Sequence, residues 1–294
     1  MTTINLQGKA GSPLSTALLL CKPNYSPREQ VAIVTGASSG MGLATVKALL
    51  AANCSVMGAD ISQAPDIQNA GFAFSQIDLT HSDSPRALVE ACQKKFGDKI
   101  DILLNVAGIM DTWASVATVT DAEYDRVIAV NLTAPIRLMR EVVQVMKAHK
   151  HGVIVNVSSK AGMSGAAAGL AYTTSKHGLI GATVNTAYLL KADGIRCNAI
   201  CPGAVATNIL AGIDQSKCDM QSLAHLGCVP APKSFNLLSH SNLLQRGARG
   251  QTKLNGENRI SAESIANVLL FLASDLSKDM NGVVLPVDNG WSVI

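Results

Sequence analysis

The chain has 294 residues, 48% of them hydrophobic and only 15% charged, with a formal net charge of +3 at pH 7. Charge this thin, with no cluster of Lys and Arg, argues against a nucleic-acid partner and points to extra surface buried by self-association. No stretch approaches the roughly 18 apolar residues of a membrane-spanning helix, so no membrane is expected either. The short apolar run Leu14 to Cys21 breaks at Lys22-Pro23 and lacks a basic start, which makes it a poor secretory signal. Seven cysteines, an odd number with no CxxC pair, read as small hydrophobic side chains in a reducing compartment. No metal site is expected, and a cytoplasmic location is.

Strand-like and helix-like segments alternate along the chain. Val31–Thr35 is a short apolar strand ending in a glycine turn, and Leu43–Ala52 reads as a helix. Ser55–Ala59 is a second strand, ending at Asp60, and Ala73–Ile77 a third, ending at Asp78. Helix Pro85–Phe96 precedes strand Ile100–Asn105. Asp121 looks like the N-cap of a long helix reaching about His149, followed by strand Val153–Val157. Helix Thr173–Lys191 leads to strand Ile195–Ile200, Ser261 caps a helix through Ala273, and Val283–Val287 is the last strand. This alternation predicts an α/β fold: one doubly wound parallel sheet with helices on both faces, a three-layer α/β/α domain over residues 31–294.

Two stretches interrupt the rhythm. Residues 1–30 form an N-terminal extension ahead of the first strand. Residues 208–259, rich in Ser, Asn, Gln and Gly, form an insertion just past a strand's carboxyl end, where open α/β sheets bind ligands. A lid over substrate is the sharper expectation for the second.

The turn Thr35-Gly36-Ala37-Ser38-Ser39-Gly40-Met41-Gly42 lies between strand and helix. Gly36 permits the tight turn, Gly40 lets the backbone approach a pyrophosphate, and Gly42 allows close helix packing. The helix N-terminus offers N–H groups and partial positive charge to phosphates. Asp60, about twenty positions on, is placed to accept hydrogen bonds from the adenine ribose hydroxyls and to repel a 2′-phosphate. NAD(H) is therefore favoured, with NADP(H) left open.

Tyr172 and Lys176 are four residues apart, and positions i and i+4 share a helix face. A tyrosine with a pKa of about 10 is a poor base at neutral pH, and a nearby cation lowers that value. Ser159 stands thirteen residues before the tyrosine. The pair alone has little weight and takes its meaning from this context.

These residues resemble the short-chain dehydrogenase/reductases over about residues 31–294. The family's TGxxxGxG turn matches at Thr35–Gly42, and its NNAG strand end appears as Asn105-Val106-Ala107-Gly108, with valine for the second asparagine. Its Ser–Tyr–xxx–Lys core matches at Ser159, Tyr172 and Lys176, its further asparagine at Asn131, and a Pro-Gly-xxx-Thr segment at Pro202–Thr207. The resemblance implies a Rossmann-like fold and an NAD(P)-dependent oxidoreductase acting on a secondary alcohol or ketone. Tyr172 would be the general acid–base, Lys176 would hold the nicotinamide ribose, and Ser159 would bond the same substrate oxygen. Asn131 would break its helix locally and hold a water leading to Lys176. Cofactor contacts would come from Gly36, Ser38, Ser39, Gly40, Met41, Gly42 and Asp60. Asp78 and Leu79 would meet the adenine. Asn105, Ala107 and Gly108 would pass beneath the adenosine, and Pro202, Gly203, Val205 and Thr207 would orient the nicotinamide end.

The chain also departs from the family. About twenty residues separate Gly8-Lys9-Ala10 from Val31, where family members run straight on; they are either a surface extension or non-coding sequence retained in the gene model. The ending Asp288-Asn289-Gly290-Trp291 replaces a double glycine, and it is weakly similar to secondary-metabolism members from filamentous fungi. Between Thr173 and Leu190 the only charged side chain is Lys176, so this helix needs burial on more than one face, and a homodimer or homotetramer is expected. The small residues Ala166–Gly169 suggest an open, apolar wall suited to a terpenoid- or polyketide-like substrate. The alternative is a catalytically impaired dinucleotide-binding or scaffold protein. A methyltransferase could share the glycine turn but has no use for the Ser–Tyr–Lys set.

Overall fold

All five residues of Val31–Thr35 are buried, which is what a strand covered on both sides requires of a run of Val, Ala and Ile. In the computed structural model, which describes residues 30–225 and 259–293, this strand is β1. The others are β2 (Ser55–Asp60), β3 (Phe72–Gln76), β4 (Ile102–Asn105), β5 (Gly152–Val157), β6 (Ile195–Pro202) and β7 (Val284–Val287). They form one sheet in the order β3-β2-β1-β4-β5-β6-β7, and every pairing is parallel. The order reverses between β1 and β4, so the crevice at their carboxyl ends is the place where such sheets take ligands.

The helices are α1 (Gly40–Ala51), α2 (Ser84–Phe96), α3 (Asp121–Ile128), α4 (Ala134–His149), α5 (Leu170–Leu189), α6 (Met220–His225) and α7 (Ala262–Ala273). Side-chain alternation in the strands divides the core into two layers. Ala32 and Val34 pack with Val46 and Leu49 of α1 and Ile265 and Leu269 of α7. Val31 and Ile33 pack with Leu88 of α2, Leu138 and Val142 of α4, and Ala187 of α5. The architecture is thus the three-layer, Rossmann-like arrangement that the alternating pattern predicts.

Three differences from the sequence reading bear on the site. Helix α3 is capped by Thr120, whose side chain accepts from Glu123 N, and Asp121 lies inside the first turn, where its charge suits the helix dipole. The long helix expected from Asp121 to His149 is broken by a π-helical turn over Ala129–Thr133. Helix α5 begins at Leu170, three positions before the expected start, so Tyr172 and Lys176 both lie on it. The extension 1–30 lies outside the described residues apart from Gln30, and so does 226–258 of the insertion. Among the described residues, no helix is long and apolar enough to cross a membrane.

Candidate active site

β1 delivers the chain into the glycine turn at the sheet's carboxyl edge. Gly36 has φ +71° and Gly40 φ +50°, left-handed values that side chains resist. A Cβ on Gly42 would lie 2.0 Å from the Gly36 carbonyl oxygen, so α1 starts in direct contact with the turn. Ser39, the N-cap, is extended and gives no side-chain cap bond, and the first turn holds no acidic residue. The positive end of α1 thus meets the crevice with N–H groups that no side chain of its own cap takes up.

The turn is tied to its surroundings from both sides. Ser38 N donates to Asp60 Oδ2 at 3.0 Å, and Ser38 Oγ donates to the Gln63 carbonyl at 2.7 Å. Asp60 Oδ1 accepts from Ser62 N at 2.9 Å, leaving further lone pairs on both oxygens. On the other side, Thr35 Oγ1 accepts from Val106 N and Ala107 N at 3.0 and 3.1 Å, which fixes the loop after β4.

A cavity of about 560 Å³ runs from the end of β2 to α5. Of the residues singled out in the sequence, Gly36, Ser39, Gly40, Met41, Gly42, Asp60, Asp78, Leu79, Asn105, Ala107, Gly108, Tyr172, Lys176 and Thr207 line it. Ser38, Asn131, Ser159, Pro202, Gly203 and Val205 stand outside that lining. Asp78 Oδ1 accepts from Thr80 N and Thr80 Oγ1, at 2.9 and 2.7 Å, and these bonds hold its carboxyl below the usual range. Asn105 Nδ2 donates to Asn156 Oδ1 at 2.8 Å, clipping β4 to β5. Val205 instead bridges to Ile260, and Gly203 N donates to the Val287 carbonyl, so this segment braces the sheet edge beside the cavity.

Asn131 occupies the π-helical turn and is fully buried. Its Oδ1 accepts from Ile109 N, and its Nδ2 donates to the Ile109 carbonyl, both at 2.9 Å. Nδ2 also donates to Ser175 Oγ at 3.2 Å. The asparagine thus joins the loop after β4 to α5, and a long-range side-chain bond replaces regular helix geometry at its position.

Tyr172 and Lys176 meet at the end of the cavity, with Ser159 outside its lining. Ser159 is the side chain whose hydrogen bonding favours the Tyr172 phenolate, against the effect of burial. Ser159 Oγ accepts from Ala161 N at 3.1 Å. Its neighbour Ser158 lines the cavity, but its hydroxyl donates to the Lys176 carbonyl at 2.9 Å. Lys176 Nζ donates to the Val157 carbonyl at 3.0 Å and stands 5.4 Å from the Tyr172 ring centroid.

The electrostatics differ from the sequence expectation that the lysine lowers the tyrosine's pKa. Burial pushes the Tyr172 phenol up to about 12, the Ser159 bond opposing it and Asp111 and Cys201 adding to it. Burial also brings the Lys176 ammonium down to about 8, against a smaller contribution from Cys201. Desolvation is the leading cause for both groups.

Sequence reasoning missed three supporting residues. Thr35 and Asn156 act through bonds between distant strands, and Asn156 Nδ2 donates on to Thr183 Oγ1 at 2.9 Å. Asp111, only 1% exposed, accepts from three backbone N–H groups, including that of Tyr172. No local pattern marks such partners.

The residues present fit a dinucleotide. The cavity's volume, the side-chain-free face of the glycine turn, the α1 N-terminus and the carboxylate of Asp60 supply its phosphate and ribose requirements in the order a dinucleotide presents them.

A Rossmann-like sheet with such a crevice defines a nucleotide-binding class, and sequence comparison makes the class specific. The family model described as short chain dehydrogenase matches residues 30–217. The short chain dehydrogenase adrF of Penicillium roqueforti is 47% identical over 266 residues, 90% of this chain and 97% of that protein. Asnovolin H dehydrogenase nvfC of Aspergillus novofumigatus is 44% identical over 272 residues, 92% of this chain and 99% of that protein. The crystal structure of levodione reductase superposes with a TM-score of 0.73 at 28% identity, covering 90% of this chain and 98% of that one. The chain belongs to the short-chain dehydrogenase/reductase family, whose members are oxidoreductases that act on CH–OH groups with NAD or NADP.

Proposed function

We propose that the protein interconverts a secondary alcohol and a ketone with NAD(H), on a bulky, apolar substrate of the terpenoid or polyketide kind. The meeting of Tyr172 and Lys176 at one end of a dinucleotide-sized cavity supports this reading most. A nicotinamide ring bound there supplies or accepts the hydride.

Tyr172 transfers the proton. Its phenol, pushed up to about 12, keeps its proton at neutral pH, the form that gives it to a carbonyl oxygen. Ser159 holds the same oxygen as charge develops on it. Lys176 holds the nicotinamide ribose, and Asn131, bonded to Ser175 one residue before the lysine, keeps that part of α5 in register with the loop after β4. Gly36 to Gly42 and the α1 N-terminus take the phosphates. Asp60 takes the ribose hydroxyls, and the absence of Lys and Arg from residues 61–65 favours NAD(H) over NADP(H). Names of relatives such as asnovolin H dehydrogenase support a secondary-metabolite substrate.

The same reading includes self-association in a reducing, cytoplasmic setting. Tyr188, Leu189 and Val184 on α5 are 82%, 61% and 41% exposed, a surface that a second copy would cover. Sedimentation at micromolar protein is expected to give a dimer or tetramer, and a strictly monomeric mass would contradict it.

The test is a screen of polycyclic and polyketide-derived alcohols and ketones with NADH and NADPH in parallel, following absorbance of the reduced nicotinamide. Turnover of at least one bulky substrate, faster with NADH, is expected. No turnover of any candidate with either cofactor would overturn the proposal.

A further inference from the structure

Asp111 has no part in the proton-transfer set, yet its buried carboxylate accepts three backbone bonds. Oδ2 accepts from Tyr172 N at 2.9 Å, and Oδ1 accepts from Gly169 N and Trp113 N, each at 3.2 Å. Gly169 is the N-cap of α5, with no side chain to cap it, and the helix's first turn holds no acidic residue. The helix that carries Tyr172 is therefore capped from a different loop, by a carboxylate whose charge suits the helix dipole. A Cβ on Gly169 would lie 2.5 Å from Asp111 Oδ2, so the bare backbone there is what admits the carboxylate.

The loop that delivers Asp111 also seats α6. Trp113 has φ +59°, a costly conformation for a bulky residue that only its surroundings can hold. Its buried side chain packs with fully buried Leu223 of α6, with Leu210 and Ile213 beside them. Asp219, at the start of α6, donates its N–H to the Thr112 carbonyl at 3.0 Å and accepts from Thr118 Oγ1 at 2.5 Å. Between this anchor and Thr207, Asn208, Ile209 and Gly212 line the cavity.

We propose that Asp111 is a positioning residue for Tyr172 and couples the tyrosine's helix end to the seating of the α6 lid through Trp113. The proposal rests on reading Tyr172 as the proton-transfer residue. With the lid seated, Leu223 holds Trp113 in its left-handed turn, and the Trp113 N–H shares Asp111 Oδ1 with Gly169. When the lid lifts, Trp113 loses that support and the carboxylate loses its fixed place, which loosens the α5 N-terminus. Proton-transfer geometry is thereby complete only over a covered substrate.

Hydrogen–deuterium exchange on the full chain tests the coupling without requiring turnover. Three variants serve: Asp111→Asn, which keeps the volume but sets an NH₂ group against one of the three donors; Asp111→Ala; and Leu223→Ala, which removes the lid anchor. In Asp111→Asn the Gly169 and Tyr172 amides are expected to exchange roughly tenfold faster or more, as losing a bond to a buried charge implies. Leu223→Ala, which replaces a side chain clustered with Trp113, is expected to speed the same two amides while the β5 amides stay at wild-type rates. In parallel, with 9,10-phenanthrenequinone as probe, Asp111→Asn is expected to lower kcat and leave the KM for NADH unchanged, retaining more turnover than Asp111→Ala. Wild-type exchange at Gly169 and Tyr172 in Leu223→Ala would overturn the coupling, and wild-type exchange there in Asp111→Asn would overturn the positioning role. If the wild-type protein reduces neither the quinone nor any ketone, the functional reading falls, and the exchange rates still decide the coupling.

Discussion

Lys176 Nζ stands over the Tyr172 ring, 5.4 Å from its centroid, while donating to the Val157 carbonyl at 3.0 Å. Both side chains are almost wholly withdrawn from water, so each is pushed toward its neutral form. Burying the pair costs stability, because an ammonium is withdrawn from water with a carbonyl as its acceptor.

That cost depends on pH. The folded value for Lys176, about 8, lies below the ordinary 10.5, so folding penalises the charged form. The penalty is full below about pH 8, shrinks between 8 and 10.5, and vanishes above, where the amine is neutral in both states. Lys176→Met is therefore expected to raise the thermal midpoint relative to wild type at pH 6 to 7, by a margin that narrows toward pH 10. Calorimetry across that range checks it; a margin that does not change with pH would contradict the assignment.

Asp60 is held by Ser38 N and Ser62 N at the end of the cavity, with no basic side chain in residues 61–65. Asp60→Asn keeps the shape and removes the charge that repels a 2′-phosphate. The ratio of kcat/KM for NADPH to that for NADH is expected to rise roughly tenfold or more, about 1.4 kcal/mol. An unchanged ratio would remove Asp60 from cofactor choice.

Gly42→Ala places a methyl group where the Gly36 carbonyl oxygen now lies, 2.0 Å from the ideal Cβ. Backbone cannot rotate away as a side chain can, so the turn or α1 must shift. A loss of about 1–3 kcal/mol in stability is expected, together with weaker NADH binding, measured by chemical denaturation and fluorescence titration. Wild-type values for both would show that the turn is not packed as described.

Much of this fold was legible because its signals are local. The buried run Val31–Thr35, the glycine turn and the Ser261 cap all follow from residues next to one another. The break at Asn131 was implied only by family resemblance, since its cause is a pair of bonds to Ile109, distant in sequence. Asp111 and Asn156 were invisible for the same reason: an acidic residue in a loop and an asparagine in a strand gain meaning only from partners the fold brings to them. The i, i+4 spacing does set Lys176 beside Tyr172, yet burial raises the tyrosine's pKa where the spacing alone suggests a lowering. Spacing reports which charges are close, whereas burial decides how much each costs, and burial is a property of the packed chain.

The most direct test of the central claim is turnover by Tyr172→Phe on a ketone that the wild-type protein reduces, with NADH binding measured in the same preparations. The ring and its packing are kept and only the hydroxyl is lost. A fall in kcat of about 10²–10⁴-fold with NADH affinity unchanged is the expected result. Full turnover by Tyr172→Phe would contradict the account.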